Sequence, residues 1–473
     1  MAYEHSPLPA KFSKSTIINN KNEERAMDEE TPKGARLPDA GIRALYTLEN
    51  RWQAWLDVEA ALARAQADLG IVPRDCADRI AECAKLSLLD RARIDEADKR
   101  TGHTIVPLVW ELSRICGEPA GGWVHWGATT QNIVQTGDLL VLRQAHRIFI
   151  SLILKTLNAM ADLTERSADM VLPARTHGQH AVPATFGFKV AIWIDEFLRH
   201  LERFRQLEPR VFVAMLGGAA GTYASLGAQG PAVQAGIAKY LDMVPMMVPA
   251  RTLGDHLAEY VSLLGLFGAT GGKIGREIYT LMKTEFGEAE EPVPPGTVGS
   301  STMPQKRNPK VCQEIIAQSA ELRSLVPLAL EAAMTEHEAD RATSLMIREA
   351  TSRAVILTGD MLIRLDYVLS GLQLDPARMR ANLDLGGGLI MAEAVMLNLG
   401  ATIGRQHAHD IVYDAAQTAF VEKKSFADLL AADKRVTEHL STAEIRDLIN
   451  PVGYIGLCAE MAREAAKRAR AAS

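Results

Sequence analysis

Apolar positions recur at helical spacing along most of this chain. From about Ile42 to Leu69, the residues Leu48, Trp52, Trp55, Leu56, Val58 and Leu62 fall near a 3.6-residue period, which predicts an amphipathic helix. Further helical stretches run to Cys116, where Gly117, Pro119, Gly121 and Gly122 break the pattern. Val124 to Gly137 reads as a loop entering a helix. The longest periodic segments lie in the middle third. Ile148 to Met170 carries Phe149, Leu152, Ile153, Leu157, Met160 and Leu163, while Phe186 to Phe204 is apolar on most of its girth. Leu257 to Met282 and Val311 to Met334 are similar. Helices of about 20 to 25 residues with so much apolar surface must be buried between other helices or subunits. Together they predict an all-α protein built on an extended bundle. Strand signals are scarce, with only Thr222, Tyr223 and the glycines from Gly217 to Gly227 pointing to a small hairpin or loop. The C-terminal third restarts after the turn at Leu374-Asp375-Pro376 and continues in shorter helices to about Lys467. Residues 1–40 are mixed polar and charged and read as a poorly ordered tail.

Composition narrows the class. A chain of 473 residues, 47% hydrophobic, has ample material for a core, and its few aromatics (5%) fit a helical protein. The net charge of −6 offers no basic surface for nucleic acid. No window approaches about 18 uninterrupted apolar residues, and Lys11 to Glu30 is polar, so neither a membrane span nor a signal core is expected. Cys76, Cys83, Cys116, Cys312 and Cys458 form no CxxC pair, which argues for a reducing compartment and against a disulfide or metal framework. A cytoplasmic location is the resulting expectation.

One segment stands apart from the helical pattern. Gly296 to Pro309 reads GTVGSSTMPQKRNP, punctuated by Gly296, Gly299, Pro304 and Pro309 and preceded by Pro292, Pro294 and Pro295. A glycine-hinged polar loop carrying two hydroxyls, a lysine and an asparagine suits a moving active-site lid. This segment resembles the GSSxMPxKxNP signature of the fumarase/aspartase superfamily. The resemblance extends over roughly residues 42 to 470. It implies three helical domains, here 41–128, 129–370 and 371–473, with the central bundles joining in a homotetramer around a core of about twenty helices. It also implies a lyase without cofactor or metal, acting on a small anionic dicarboxylate at sites shared between subunits.

Other segments carry polar groups that a helical scaffold does not need. In His125-Trp126-Gly127-Ala128-Thr129-Thr130-Gln131-Asn132, two threonines sit at a loop-to-helix junction, where free N–H groups bind anions. The same residues would equally serve as a helix N-cap. The stretch is similar to the GATSQD motif of the adenylosuccinate lyase and 3-carboxy-cis,cis-muconate cycloisomerase branch, with Asn132 and Gln135 where aspartates are usual, and the resemblance implies that Thr129, Thr130, Gln131 and Asn132 contact the substrate. Arg175-Thr176-His177-Gly178-Gln179-His180 reads as a loop leading into a buried helix. A histidine's ordinary pKa near 6.5 suits proton transfer. The segment resembles the family's RTHGQxAxPxTFG, which assigns His177 as general acid, Thr176 and Gln179 as substrate contacts, and His180 as structural.

Further carry-overs follow from the same resemblance. His103 falls where adenylosuccinate lyases have a second active-site histidine. His337 to Arg348 is similar to their HERDLSxSSxxR stretch, with Ala339 and Ala342 departing from it. Ser344 and Arg348, one helical turn apart, can face one anion or simply form a solvated helix face. In the signature loop, Ser300 becomes the base, acting as an oxyanion, and Ser301, Met303, Lys306 and Asn308 contact the substrate. Gln313 stands where a glutamate partnering the histidine is usual, with Glu314 next to it. The expected reaction is anti β-elimination from a succinyl-type substrate, most readily at a C–N bond, releasing fumarate. Alternatives are cycloisomerisation of a carboxymuconate, or a structural protein reusing the fold. The complete set of Ser300, Lys306, Asn308 and His177 weighs against the last.

Overall fold

The computed structural model describes residues 37–293 and 300–472. Residues 1–36 of the tail expected over 1–40, and Gly296 and Gly299 of the signature loop, lie outside the described residues. Eighteen α-helices and three two-stranded sheets make up the described residues, so the fold is all-α, as the periodicity predicts. None of these helices is long and apolar enough to cross a membrane by itself.

The N-terminal region comprises α1 (Ile42–Leu45), α2 (Leu48–Asp68), α3 (Arg74–Cys83), α4 (Arg91–Thr101) and α5 (Val106–Cys116). The single helix expected from Ile42 to Leu69 is interrupted at Tyr46-Thr47. Thr47 Oγ1 accepts the Asn50 N–H at 3.4 Å, and Asn50 Nδ2 donates to Leu45 O at 2.8 Å. These short polar side chains satisfy backbone groups locally and end one helix while starting the next. Beyond the break, Trp52, Trp55, Leu56, Val58 and Leu62 are all buried, as their spacing requires.

The bundle begins with α6 (Thr130–Arg166), 37 residues long and therefore about 55 Å from end to end. It starts well before the Ile148 to Met170 segment because Val134, Leu139, Val141 and Leu142 also find buried positions. Next come the hairpin β1 (Val171–Thr176) and β2 (Gln179–Thr185), then α7 (Phe186–Val211) and the short β3 (Val213–Ala214). After α8 (Gly230–Tyr240) and β4 (Val244–Pro245), the long α9 (Asp255–Leu281) runs into β5 (Ala289–Glu290). Helices α10 (Lys310–Ala332) and α11 (Arg341–Gly371) complete a five-helix bundle with α6, α7 and α9. Helices α9 and α10 approach closely because α9 presents glycines. A Cβ on Gly268 would lie 2.8 Å from Leu322 Cδ2, and one on Gly275 would lie 2.9 Å from Ile315 Cγ2.

The β1–β2 hairpin is the main departure from the pattern of apolar positions, which reads it as a loop. Pro173 and Pro183 pair across it, and prolines normally argue against a strand. The two-residue turn is His177-Gly178, with φ of 51° and 77°, so both central residues take the left-handed conformation of a type I′ turn. Glycine accepts that at no cost, whereas His177 is held there against its preference.

The chain continues through β6 (Gln373–Leu374), which pairs with β5, and α12 (Pro376–Leu383). Helices α13 (Ala392–Ile403), α14 (Arg405–Glu422), α15 (Phe426–Ala432), α16 (Lys434–Thr437) and α17 (Thr442–Leu448) surround a small core of Val395, Leu399, Phe426 and Leu430. The last helix, α18 (Cys458–Ala471), leaves that group and packs along α6 and α7.

Inside the bundle, His200 of α7 is 2% exposed, with Nε2 2.9 Å from Thr270 Oγ1 of α9 and its ring edge-on to Phe267. Burial, then the charges of Arg203, Arg199 and Lys273, push its pKa down to about 4. The unfolded chain therefore binds this proton more readily. The resulting stability is present above pH 6.5 and is lost as pH falls from there toward 4, by about 3 kcal/mol from this group. His200→Gln, which cannot charge, is expected to lose less stability than the parent across that window in thermal melts. An unchanged acid sensitivity would remove His200 as its source.

Candidate active site

The polar segments singled out by sequence sit where regular structure ends. At the start of α6, Asn132 turns back so that its Oδ1 accepts the N–H of Thr129 (3.0 Å) and of Gly218 (3.2 Å). Its side chain is fully buried, so Asn132 acts as a cap that also fastens the helix to the Gly217–Gly221 turn. Thr129, Thr130 and Gln131 remain part-exposed at the same helix end. Gln131 is locked in a reciprocal pair with Arg251, donating to Arg251 O at 2.8 Å and accepting from Arg251 Nε at 3.0 Å.

Gln131 borders a cavity of about 440 Å³ between α6 and α11, together with Gln135, Arg51, Asp138, Ser344 and Arg348. Asp138 is already taken. Arg51 grips it at 3.1 and 2.8 Å, and the Trp55 indole donates at 3.1 Å. Arg348 is half-buried, and its guanidinium makes no hydrogen bond or ion pair with any described residue. Burial pulls its guanidinium below the ordinary value against the pull of Asp138, which marks it as a cation short of a counter-ion. Ser344 donates to Asp340 O at 2.9 Å, leaving the hydroxyl oxygen's lone pairs for another donor.

His125 precedes this helix end at φ 64°, with Nδ1 2.6 Å from Oε1 of the buried Glu59. Burial disfavours its charge, but the Glu59 carboxylate and hydrogen bond outweigh that and raise its pKa. Gln66 Nε2 holds Trp126 O at 2.8 Å, and Ser225 Oγ holds Gly127 O at 2.9 Å. Glu59 and Gln66 escaped the sequence reading. The signal was there, because residues 55, 59, 62 and 66 share one stripe of α2, and a buried stripe should not carry a carboxylate and an amide without reason.

His177 stands exposed at the tip of the β1–β2 hairpin, with Thr176 and Gln179 paired beside it. Just behind the turn, the hairpin is fixed by Arg175, whose guanidinium meets Glu288 at 2.6 and 3.0 Å. Glu288 is fully buried and also accepts Asn382 Nδ2 at 2.7 Å. His180 lies part-buried, held below its ordinary pKa by burial and the Arg175 charge.

In the signature loop, Ser300 Oγ accepts two backbone N–H groups, from Met303 at 3.1 Å and Thr302 at 3.4 Å. The donors thus lie after the serine in the chain. Ser301, Met303 and Lys306 are exposed, and the Lys306 N–H is tied to Met303 O at 3.1 Å. Asn308 O accepts the Lys310 N–H at 2.9 Å where α10 begins. Buried Glu291 closes the loop's base by accepting the N–H groups of Val311 (3.0 Å) and Cys312 (2.9 Å). A carboxylate at a helix N-terminus is favoured by both the free donors and the dipole. Glu290 adds an ion pair to Arg307 at 2.8 Å. Of the two residues expected beside His177, Glu314 is held by Arg364 at 2.6 Å and Gln313 is exposed.

One chain therefore brings Gln131, Ser344 and Arg348 to a common cavity, whose described lining does not include His103, His177 or Ser300. His103 is exposed at the start of α5, where its Nδ1 accepts the Val106 N–H at 3.4 Å.

The chain matches the Lyase family over residues 37–322 and the Adenylosuccinate lyase C-terminus family over residues 388–465. The chain belongs to the fumarase/aspartase lyases. It is 38% identical to the N-acetyl-S-(2-succino)cysteine lyase of Enterococcus italicus, over 90% of this chain and 93% of that one. It is 34% identical to the adenylosuccinate lyase of Methanocaldococcus jannaschii, with the same coverage of 90% and 93%. Among solved structures, a fumarate lyase from Mesorhizobium sp. BNC1 superposes with a TM-score of 0.85 at 34% identity, covering 91% of this chain and 98% of that one. The chain is accordingly an enzyme of the lyase class.

Glu291 gives a direct test of how the loop is anchored. Glu291→Ala leaves two buried N–H groups without an acceptor. It is expected to cost about 2 kcal/mol in denaturant unfolding and to lower turnover, whereas Glu291→Gln, which keeps an acceptor oxygen, retains more of both. Parent-like stability in Glu291→Ala would show that the cap does not hold the loop.

Proposed function

We propose that this enzyme cleaves a carbon–heteroatom bond of a succinyl-type substrate, –OOC–CH(X)–CH2–COO–, releasing fumarate and HX. The leaving atom X is nitrogen or sulfur, since relatives are named for both kinds of substrate. The reading rests most on Ser300, whose oxygen already accepts two backbone N–H groups. A serine hydroxyl is a weak acid, and donors aimed at its oxygen stabilise the alkoxide that a base must become. Lys306 adds a positive charge on the same loop. Ser300 then takes the CH2 proton, and Lys306 and Asn308 hold the carboxylate on which negative charge develops. Thr129 and Thr130, with Gln131 once substrate displaces one of its present partners, hold the other carboxylate, His177 protonates X as the C–X bond breaks, and His103 lines the leaving-group side. Ser301, Met303, Thr176 and Gln179 complete the contacts. Arg348, with Ser344, takes an anionic group on the far end of X.

The catalytic groups lie in separate helical regions of the chain, so we infer a homotetramer in which each site draws on several subunits. The exposure of Ile192 (45%), Leu266 (48%) and Leu330 (53%) on three bundle helices supports this, because such side chains find partners in an assembly. Ser300→Ala and His177→Ala are each expected to be nearly inactive while folded. After subunit exchange, mixtures of the two should regain part of the rate. Full activity in Ser300→Ala, or no recovery after verified exchange, would count against the base and against shared sites respectively.

Incubating the enzyme with fumarate and a panel of amines and thiols tests the reaction itself, with mass spectrometry detecting the succinylated products. Donors bearing a remote carboxylate or phosphate are expected to react best. For these, Arg348→Met should raise KM roughly ten- to hundredfold with little loss of kcat. The basis is that a charge-assisted hydrogen bond contributes about 1.5 to 3 kcal/mol to ground and transition state alike. An unchanged KM would make Arg348 a solvated helix residue. If no adduct forms but a carboxymuconate is lactonised, the cycloisomerase reading takes over, a reading favoured by a Pseudomonas aeruginosa relative of that name at 37% identity.

A further inference from the structure

A second cleft, of about 470 Å³, lies where α2, the end of α3, the middle of α6 and the end of α8 meet. Its floor is made of small and apolar residues, Ala60, Ala61, Ala81, Ala84 and Leu140, and this lack of bulk is what leaves the space open. Its charges are strongly one-sided. Arg64, Lys85, Arg143 and Arg147 line it, against the single carboxylate of Asp57, in a chain whose net charge is −6.

These cations come from three different helical regions. They cannot be explained as one solvated helix face. Arg143 is preoriented, donating to Leu241 O at 2.8 Å and also to Asp242 O, with 17% of its side chain exposed. Asp242 lies 4.0 Å from Arg143 and 3.8 Å from Arg147, but its side chain is 90% exposed and neutralises little. Arg64 and Lys85 form no ion pair with any described residue. Asp57 is occupied by Gln53, whose Nε2 donates to it at 2.8 Å while its Oε1 accepts the Leu86 N–H at 2.8 Å. Burial, then the charge of Arg147, disfavours the Arg143 cation despite the nearby Asp242, which leaves an electrostatic cost at the back of the cleft. A ligand carrying several negative charges would relieve it.

We propose that this cleft binds a small multiply charged anion, borne on phosphate or on several carboxylates, separately from the catalytic cavity. Arg143 provides the fixed donor at the back, and Arg64, Lys85 and Arg147 close on the ligand from the rim. The volume suits an organic anion of metabolite size.

Isothermal titration of the intact enzyme at physiological ionic strength, with inorganic pyrophosphate and with citrate as the probes, tests this. At least one probe should bind. The double variant R64Q/R147Q, altered only at exposed rim positions, should weaken that binding at least tenfold while leaving kcat and KM for the lyase reaction unchanged. Binding of pyrophosphate alone assigns phosphate as the recognised group, and binding of citrate alone assigns carboxylate. Failure of both probes to bind would overturn the proposal. So would binding that survives R64Q/R147Q but is lost in Arg348→Met, since it would then belong to the catalytic cavity.

Discussion

The buried pairing of Arg175 with Glu288 is the contact on which the candidate site depends. Arg175 sits two residues before the strained His177 turn, and Glu288 sits in the segment that leads to the signature loop. Their bidentate contact therefore joins the two parts of the chain that carry the proposed acid and base. Burying both charges is unfavourable unless their hydrogen bonds are filled. Here Asn382 supplies a further donor, and the Phe286 ring lies 4.9 Å from the guanidinium. Losing one partner of such a pair costs about 3 to 5 kcal/mol, because the other charge stays buried. The backbone reinforces the junction, since Asp375 N–H donates to Glu288 O at 3.1 Å and β5 pairs with β6.

Around this junction, long helices supply rigidity and their ends supply chemistry. The five bundle helices bury apolar residues almost continuously, so their positions are fixed by packing. Free helix-end N–H groups and left-handed backbone gather, among the described residues, where the helices stop. Asn132 caps α6, Glu291 caps α10, and Asp340 caps α11 through the Ala342 N–H at 2.9 Å. Each cap fixes one of the polar segments proposed to hold substrate. Ser344 and Arg348 lie on the first turns of α11, and Thr130 and Gln131 lie on the first turn of α6. Of these, Gln131, Ser344 and Arg348 border one cavity in a single chain, where Arg51 and Gln135 also face it.

The helical class and the long bundle segments were legible in the sequence because apolar spacing records burial directly. Phe197, Phe204, Leu264, Phe267 and Leu322 are buried where their period put them. So were the polar segments, since the hydroxyl, lysine and histidine groups of Ser300, Lys306 and His177 stand out against a helical background. The β1–β2 hairpin was not, because Pro173 and Pro183 erase the alternation that marks a strand and only pairing across the turn reveals it. The break at Thr47 was hidden likewise, since the apolar stripe continues through it.

By itself, then, the sequence determined which stretches are helices and which side chains carry reactive groups, because both are local properties of residue type and spacing. Tertiary structure decided which of those groups have partners. Asn132 became a cap because Gly218 approaches it, and Glu314 was drawn off by Arg364. Glu59, Glu288 and Glu291 became positioning groups because each is buried beside a donor far away in the chain. Arg348 kept its charge unpaired because Arg51 had already claimed Asp138. No spacing rule encodes such pairings, since they depend on which charges are left over once the helices have packed.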